Sequence, residues 1–151
     1  MPEMQTLPTS TASARVCIVQ NEQRNPADLL AEVLQQAGFE DAIERKRAML
    51  NMGKSYFCIL IKPDMELFDH RSNTGTDPLL VEELIDMLHE KGYTNVAVAD
   101  AEGSASLWLD NREVLVLADL AGYRFVTSKG NAYDVLNLSE ATIDAEFPAG
   151  S

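Results

Sequence analysis

Apolar positions along this chain fall into short uninterrupted runs separated by stretches with helical spacing, a rhythm that predicts alternating strands and helices. The run 57–61, Phe-Cys-Ile-Leu-Ile, ends abruptly in Lys62-Pro63-Asp64, and the run 96–99, Val-Ala-Val-Ala, ends in Asp100-Ala101-Glu102-Gly103. The first of these has apolar residues at every position, as a strand buried on both faces would. Together the two predict neighbouring parallel strands whose carboxyl ends open onto a polar crevice. A first strand is expected at 15–20, Arg-Val-Cys-Ile-Val-Gln, a third at 95–99, and a short final one near 135–138.

Helix starts are written twice in the same way. Asn25-Pro26 and Asp77-Pro78 each place a capping side chain before a proline suited to the first turn. After the first, Leu29, Leu30, Val33, Leu34 and Ala37 share a face, and Gly38 can close the helix in a left-handed cap. After the second, Leu80, Val81, Leu84, Ile85 and Leu88 share a face, His89 lies on the polar side, and Gly92 ends the run. Between them, Glu44, Arg45, Lys46 and Arg47 stand beside Met49, Leu50 and Met52, which predicts a short amphipathic helix with a solvated charged face and a turn at Gly53. A further helix is expected over 112–121. The order β-α-β-α-β-α-β implies an α/β fold: three layers, with a mainly parallel sheet of about four strands and crossover helices on both faces. Residues 1–14, rich in Thr, Ser and Pro, read as a flexible arm, 15–139 as the α/β domain and 140–151 as a tail.

Composition narrows the partners more than the chemistry. The chain has 151 residues, room for one domain with a real core, and a net charge of −12,. That surplus of carboxylates argues against nucleic acid and anionic membrane surfaces as partners. Cys17 and Cys58 lie inside apolar runs without metal-site spacing, so buried free thiols and a cytoplasmic location are expected. No apolar run reaches the length of a membrane span, and the first residues lack the basic start and apolar centre of a signal peptide.

The candidate chemistry gathers at the two strand ends. Lys62 either binds a phosphate or carboxylate, or pairs with Asp64 or Asp100 and merely finishes its strand. Asp100 either holds a cation or a sugar hydroxyl, with Gly103 allowing close approach beside Glu102 and Ser104, or accepts backbone N–H groups as a cap. Asp64, Glu66, Asp69 and His70 carry donors suited to a divalent metal, joined by Asp100 at the next strand end. Their spacing matches no calcium or zinc motif, and a solvated acidic loop is the plainer reading. Asp77 is most simply a helix cap, with Thr76 beside it. Trp108 reads as core or as part of a covering loop. No nucleophile–base pair is visible around Ser72, Ser104 or Ser106, so a hydrolase triad is unsupported.

The series Lys62-Pro63-Asp64, Thr76-Asp77-Pro78, Ala99-Asp100-Ala101-Glu102-Gly103, Ala121-Gly122-Tyr123 and Asp134-Val135-Leu136-Asn137-Leu138 resembles the family known as domain of unknown function 362. Family counterparts are a strand ending in Lys-Pro-Asn, a Thr-His-Pro helix start, a strand ending in Gly-Asp, a Ser-Gly-Tyr and a later Val-Asp-Leu strand. The resemblance runs from about residue 15 to 139 and implies an amino-terminal half of that family, as a short relative or a fragment. Asp64 stands where the family has Asn, and Asp77 where it has His. Longer members continue into a Lys-rich second half, and many carry ferredoxin-type cysteine clusters. Nothing here corresponds to either, and two dispersed cysteines cannot ligate an iron–sulfur cluster alone. A more distant, shape-like similarity runs to the amino-terminal domain of nickel-pincer lactate racemases, without a shared run of residues.

The resulting expectation is a small-ligand- or metal-binding module that does not catalyse independently. Its site would lie between Lys62-Pro63-Asp64 with Thr76 on one side and Asp100, Glu102, Gly103 and Ser104 on the other. The alternatives are part of a redox-linked enzyme needing a second half or an iron–sulfur partner, and a plain protein-interaction subunit.

Overall fold

Both Asx–Pro pairs open helices in the computed structural model, which describes residues 16–65, 75–101 and 113–140. Asn25 Oδ1 accepts the Ala27 N–H at 3.0 Å and starts α1 (Pro26–Ala37). Asp77 Oδ1 accepts the Leu79 N–H at 2.9 Å and starts α3 (Pro78–Glu90). Each cap satisfies an N–H that the first helical turn leaves without a partner. Gly38, at φ +68°, closes α1 and at once begins α2 (Phe39–Met49). The fourth helix, α4 (Val114–Ala121), is capped by Glu113, whose carboxylate accepts the N–H groups of Leu115 and Val116.

Three strands form one parallel sheet in the spatial order β1 (Ile59–Ile61), β2 (Val96–Asp100), β3 (Asp134–Asn137). Ile61 lies beside Val98, and Val98 beside Val135, so these side chains share a face,. That face holds Ile59, Ile61, Val96, Val98 and Val135, and it meets Val81, Ile85 and Leu88 of α3 together with Val114 and Ala118 of α4 in a single core. α1 packs on α2 and α3, outside this layer. Parallel strands need such helical crossovers, and the alternation of the sequence encoded them. The α/β class and the parallel sheet are therefore as expected.

The opposite face of the sheet differs from the expectation. Leu60 and Leu136 there are 47% and 41% exposed, flanking the buried Ala97 and Ala99 of the central strand. The 57–61 run is thus not buried on both faces. β1 is an edge strand, and only its odd-numbered side chains reach the core. Residues 16–20 have no regular secondary structure and belong to no sheet among the described residues, so three strands stand where about four were expected. Val16 and Ile18 are each 80% exposed. The thiols are free, as expected, yet Cys58 is exposed and Cys17 half-buried, because neither lies in a covered strand. No helix among the described residues is long and apolar enough to cross a membrane.

Candidate functional site

Strand order decides whether the two polar strand ends can form one site, and it brings them together. β1 and β2 are adjacent and parallel, so Lys62 leaves one strand end next to Asp100, the last residue of the other. Lys62 Nζ lies 2.8 Å from Asp100 Oδ1. The same oxygen accepts the N–H of Ala101 at 2.8 Å, and Oδ2 accepts the N–H of Met65 at 3.2 Å. Asp100 is only 3% exposed, whereas the Lys62 side chain is 59% exposed. A buried carboxylate is tolerable when charge and N–H donors surround it, and here both do. Asp100 therefore works as an organiser: it caps its own strand end, folds the 62–65 segment back over it and positions an ammonium at the solvent boundary.

The second half of the corner is backbone held by backbone. The Asp64 N–H donates to Thr76 Oγ1 at 2.9 Å, and the Thr76 N–H returns a bond to the Asp64 carbonyl at 3.2 Å. Gly75 fits closely there; a Cβ on it would lie 3.2 Å from the Asp64 oxygen. Pro63 is buried, and Asp77, which follows Thr76, caps α3. Lys62, Pro63, Asp64, Thr76 and Asp100 thus converge around the Asp100 carboxylate and the Asp64–Thr76 bonds. Glu102, Gly103 and Ser104 lie outside the described residues, as do Glu66, Asp69, His70 and Trp108. Among the described residues no three His, Cys, Asp or Glu side chains come together as a metal site.

One polar feature escaped the sequence reading, and a second shows its detail only in the structure. Asp86, in the middle of α3 and 1% exposed, accepts from Thr127 Oγ1 at 2.5 Å and from Asn131 Nδ2 at 2.7 Å, with Lys129 Nζ 3.6 Å from its other oxygen. It pins the tight hairpin bridged at Val126 and Ala132 onto the helix. The available signal was a carboxylate set between Ile85 and Met87 in an otherwise apolar stretch. The second feature is Glu44 of α2, whose carboxylate meets Lys54 and Arg47, each at 2.9 Å. The Lys54 hydrogen bond first, with Arg47 adding to it, holds the Glu44 carboxyl down at about 2. The charged patch on α2 is therefore a set of ion pairs on a solvated face.

A groove of about 370 Å3 lies away from the strand ends, between α1, α2 and α3, with Leu34, Phe39, Ile43, Leu84 and Leu88 among its walls. Lys91 and Glu40 form an ion pair at 2.6 Å on its rim. Its walls are apolar helix faces, whereas convergent polar groups, the usual mark of a site, are at the strand ends.

A family model described as domain of unknown function (DUF362) matches residues 59–150. The match takes in the motifs at Lys62, Thr76 and Asp100 and covers the carboxyl-terminal part of the chain, leaving out 15–58, which the sequence resemblance had included. No curated protein and no solved structure matches the chain.

Proposed function

The chain belongs to the DUF362 family, and from that premise we propose that its strand-end corner binds a small ligand through Lys62, with Asp100 as the positioning residue. The observation that carries this reading is the pairing of an exposed ammonium with a buried carboxylate at the ends of adjacent parallel strands. Open α/β sheets bind ligands in the crevice outside such ends. The ammonium favours a carboxylate or phosphate on the ligand. In this reading the module binds its ligand without independent catalysis. A cytoplasmic setting agrees with the two free thiols,.

The test is native mass spectrometry of gently purified protein with elemental analysis for metal. A stoichiometric small anion, lost in Lys62→Ala with the fold intact by circular dichroism, is the expected result. Bound metal lost in Asp64→Ala and Asp100→Ala would replace the anion reading with the metal one, in which Asp69 and His70 supply further donors. A clean apo mass from wild-type protein would overturn both.

A second reading, an interaction subunit, is favoured by Leu60 and Leu136, which are half-exposed on the second face of the sheet,. Docking there would shield both side chains and leave Lys62 untouched.

A further inference from the structure

Away from the strand ends, α1 and α2 meet α3 without closing over it. The apolar residues of α1 share one face, yet no residue of α1 or α2 is fully buried. Leu34, Phe39, Ile43, Leu84 and Met87 are each half-buried and line the groove of about 370 Å3 between the three helices. Apolar surface in a concavity of this size is what a small ligand removes from water.

The charges on the same walls do not cancel. Glu40, Asp41 and Lys91 all line the groove. Lys91 Nζ lies 2.6 Å from Glu40 Oε2, so these two balance one another. The Asp41 side chain has no ion pair and no hydrogen bond among the described residues. Backbone dipoles do not neutralise it either. α1 ends and α2 begins at Gly38, and each helix end carries the equivalent of roughly half a charge, negative from α1 and positive from α2,. Those contributions offset, and the last turn of α1 holds no basic residue. One carboxylate is left over beside an apolar wall, in a chain whose net charge is −12.

We propose that this groove binds a small amphipathic cation, its apolar body against Leu34, Ile43 and Leu84 and its ammonium beside Asp41. An anion would meet Asp41 and the acidic field of the whole chain. A neutral apolar molecule would gain the burial and leave Asp41 unused. A protein partner needs roughly 800 Å2 of surface on each side, whereas the volume of about 370 Å3 falls in the range of small-ligand pockets,. The site is separate from Lys62 and Asp100 and opposite in the charge it selects.

Amide chemical-shift titration of the full chain tests this with three probes of one shape: phenylbutylammonium, phenylbutanol and phenylbutyrate. The ammonium is expected to bind saturably, shifting Leu34, Ile43 and Leu84, with phenylbutyrate the weakest. It should bind about fivefold tighter than the alcohol, the scale of an exposed ion pair. Asp41→Asn, which removes a charge and no bond, should bring the ammonium down to the alcohol's affinity and leave the alcohol's unchanged. Ala31→Trp, at an exposed position on the groove wall, should abolish binding of every probe, and Lys62→Ala should alter none. Absence of saturable binding by phenylbutylammonium would overturn the proposal, as would equal binding of phenylbutyrate. So would a preference for the ammonium that survives Asp41→Asn, binding that survives Ala31→Trp, or binding lost in Lys62→Ala.

Discussion

Asp100 Oδ1 sits 2.8 Å from Lys62 Nζ across the boundary between two adjacent parallel strands, while the other oxygen of the same carboxylate holds the Met65 N–H. The two partners are unequal, since Asp100 is buried and Lys62 mostly exposed. Asp100→Ala should cost roughly 2–4 kcal/mol, because it leaves the Met65 and Ala101 N–H groups without their acceptor. Lys62→Ala should cost about 1 kcal/mol or less, as expected for a half-solvated ion pair. Urea midpoints of the two variants measure the difference. A Lys62→Ala variant less stable than Asp100→Ala would contradict the organising role given to Asp100.

Asp86 offers a test away from the strand ends. Its carboxylate accepts two side-chain bonds from the hairpin, so Asp86→Ala leaves Thr127 and Asn131 without an acceptor. The expected loss is roughly 2–4 kcal/mol. Hydrogen exchange should quicken first at 127–131, ahead of the sheet, since the hairpin loses its anchor while β3 keeps its ladder with β2. Uniform quickening across the domain would argue against a local pin.

The two proline-led helix starts predict matched effects. Asn25→Ala and Asp77→Ala should each cost about 1 kcal/mol, the usual worth of an N-cap. Asp77→Asn should recover most of the loss, because the amide oxygen can accept the Leu79 N–H. Thermal denaturation of the four-protein set, wild type included, checks this.

Glu44 gives a pH dependence with a definite sign. Its carboxyl is held at about 2, below the ordinary value of 4.5, chiefly by the Lys54 hydrogen bond. The folded state therefore binds this proton less readily than the unfolded chain does. The resulting stabilisation is complete above the ordinary glutamate range and is lost as pH falls from about 4.5 through about 2,. Carboxyl-carbon NMR should show Glu44 still ionised at pH 3, and Lys54→Met should move its midpoint upward. An unchanged midpoint in Lys54→Met would remove Lys54 as the cause.

Local chemistry was legible in the sequence, and three-dimensional adjacency was not. Asn25, Asp77 and Gly38 act through bonds to their own neighbours, so spacing alone located them. The meeting of Lys62 with Asp100 depends on which strands are neighbours, and nothing in a strand's own residues states this. Leu60 misled for a related reason: an apolar run reads the same whether its strand lies in the middle of a sheet or at an edge where one face is half-exposed. Asp86 was missed because its acceptors' partners, Thr127 and Asn131, lie 41 and 45 residues further along.

At Gly38 one residue belongs to two helices, with φ +68°, ψ 33° and nothing within 4 Å of the position a Cβ would take. The angle at which α2 leaves α1 is thus governed by a single pair of torsions. Both helices wall the apolar groove, so the torsions at that corner set how its two walls meet. The groove's shape therefore hangs on one left-handed residue, and a side chain at Gly38 would strain the corner that joins its walls even though there is room for the Cβ,.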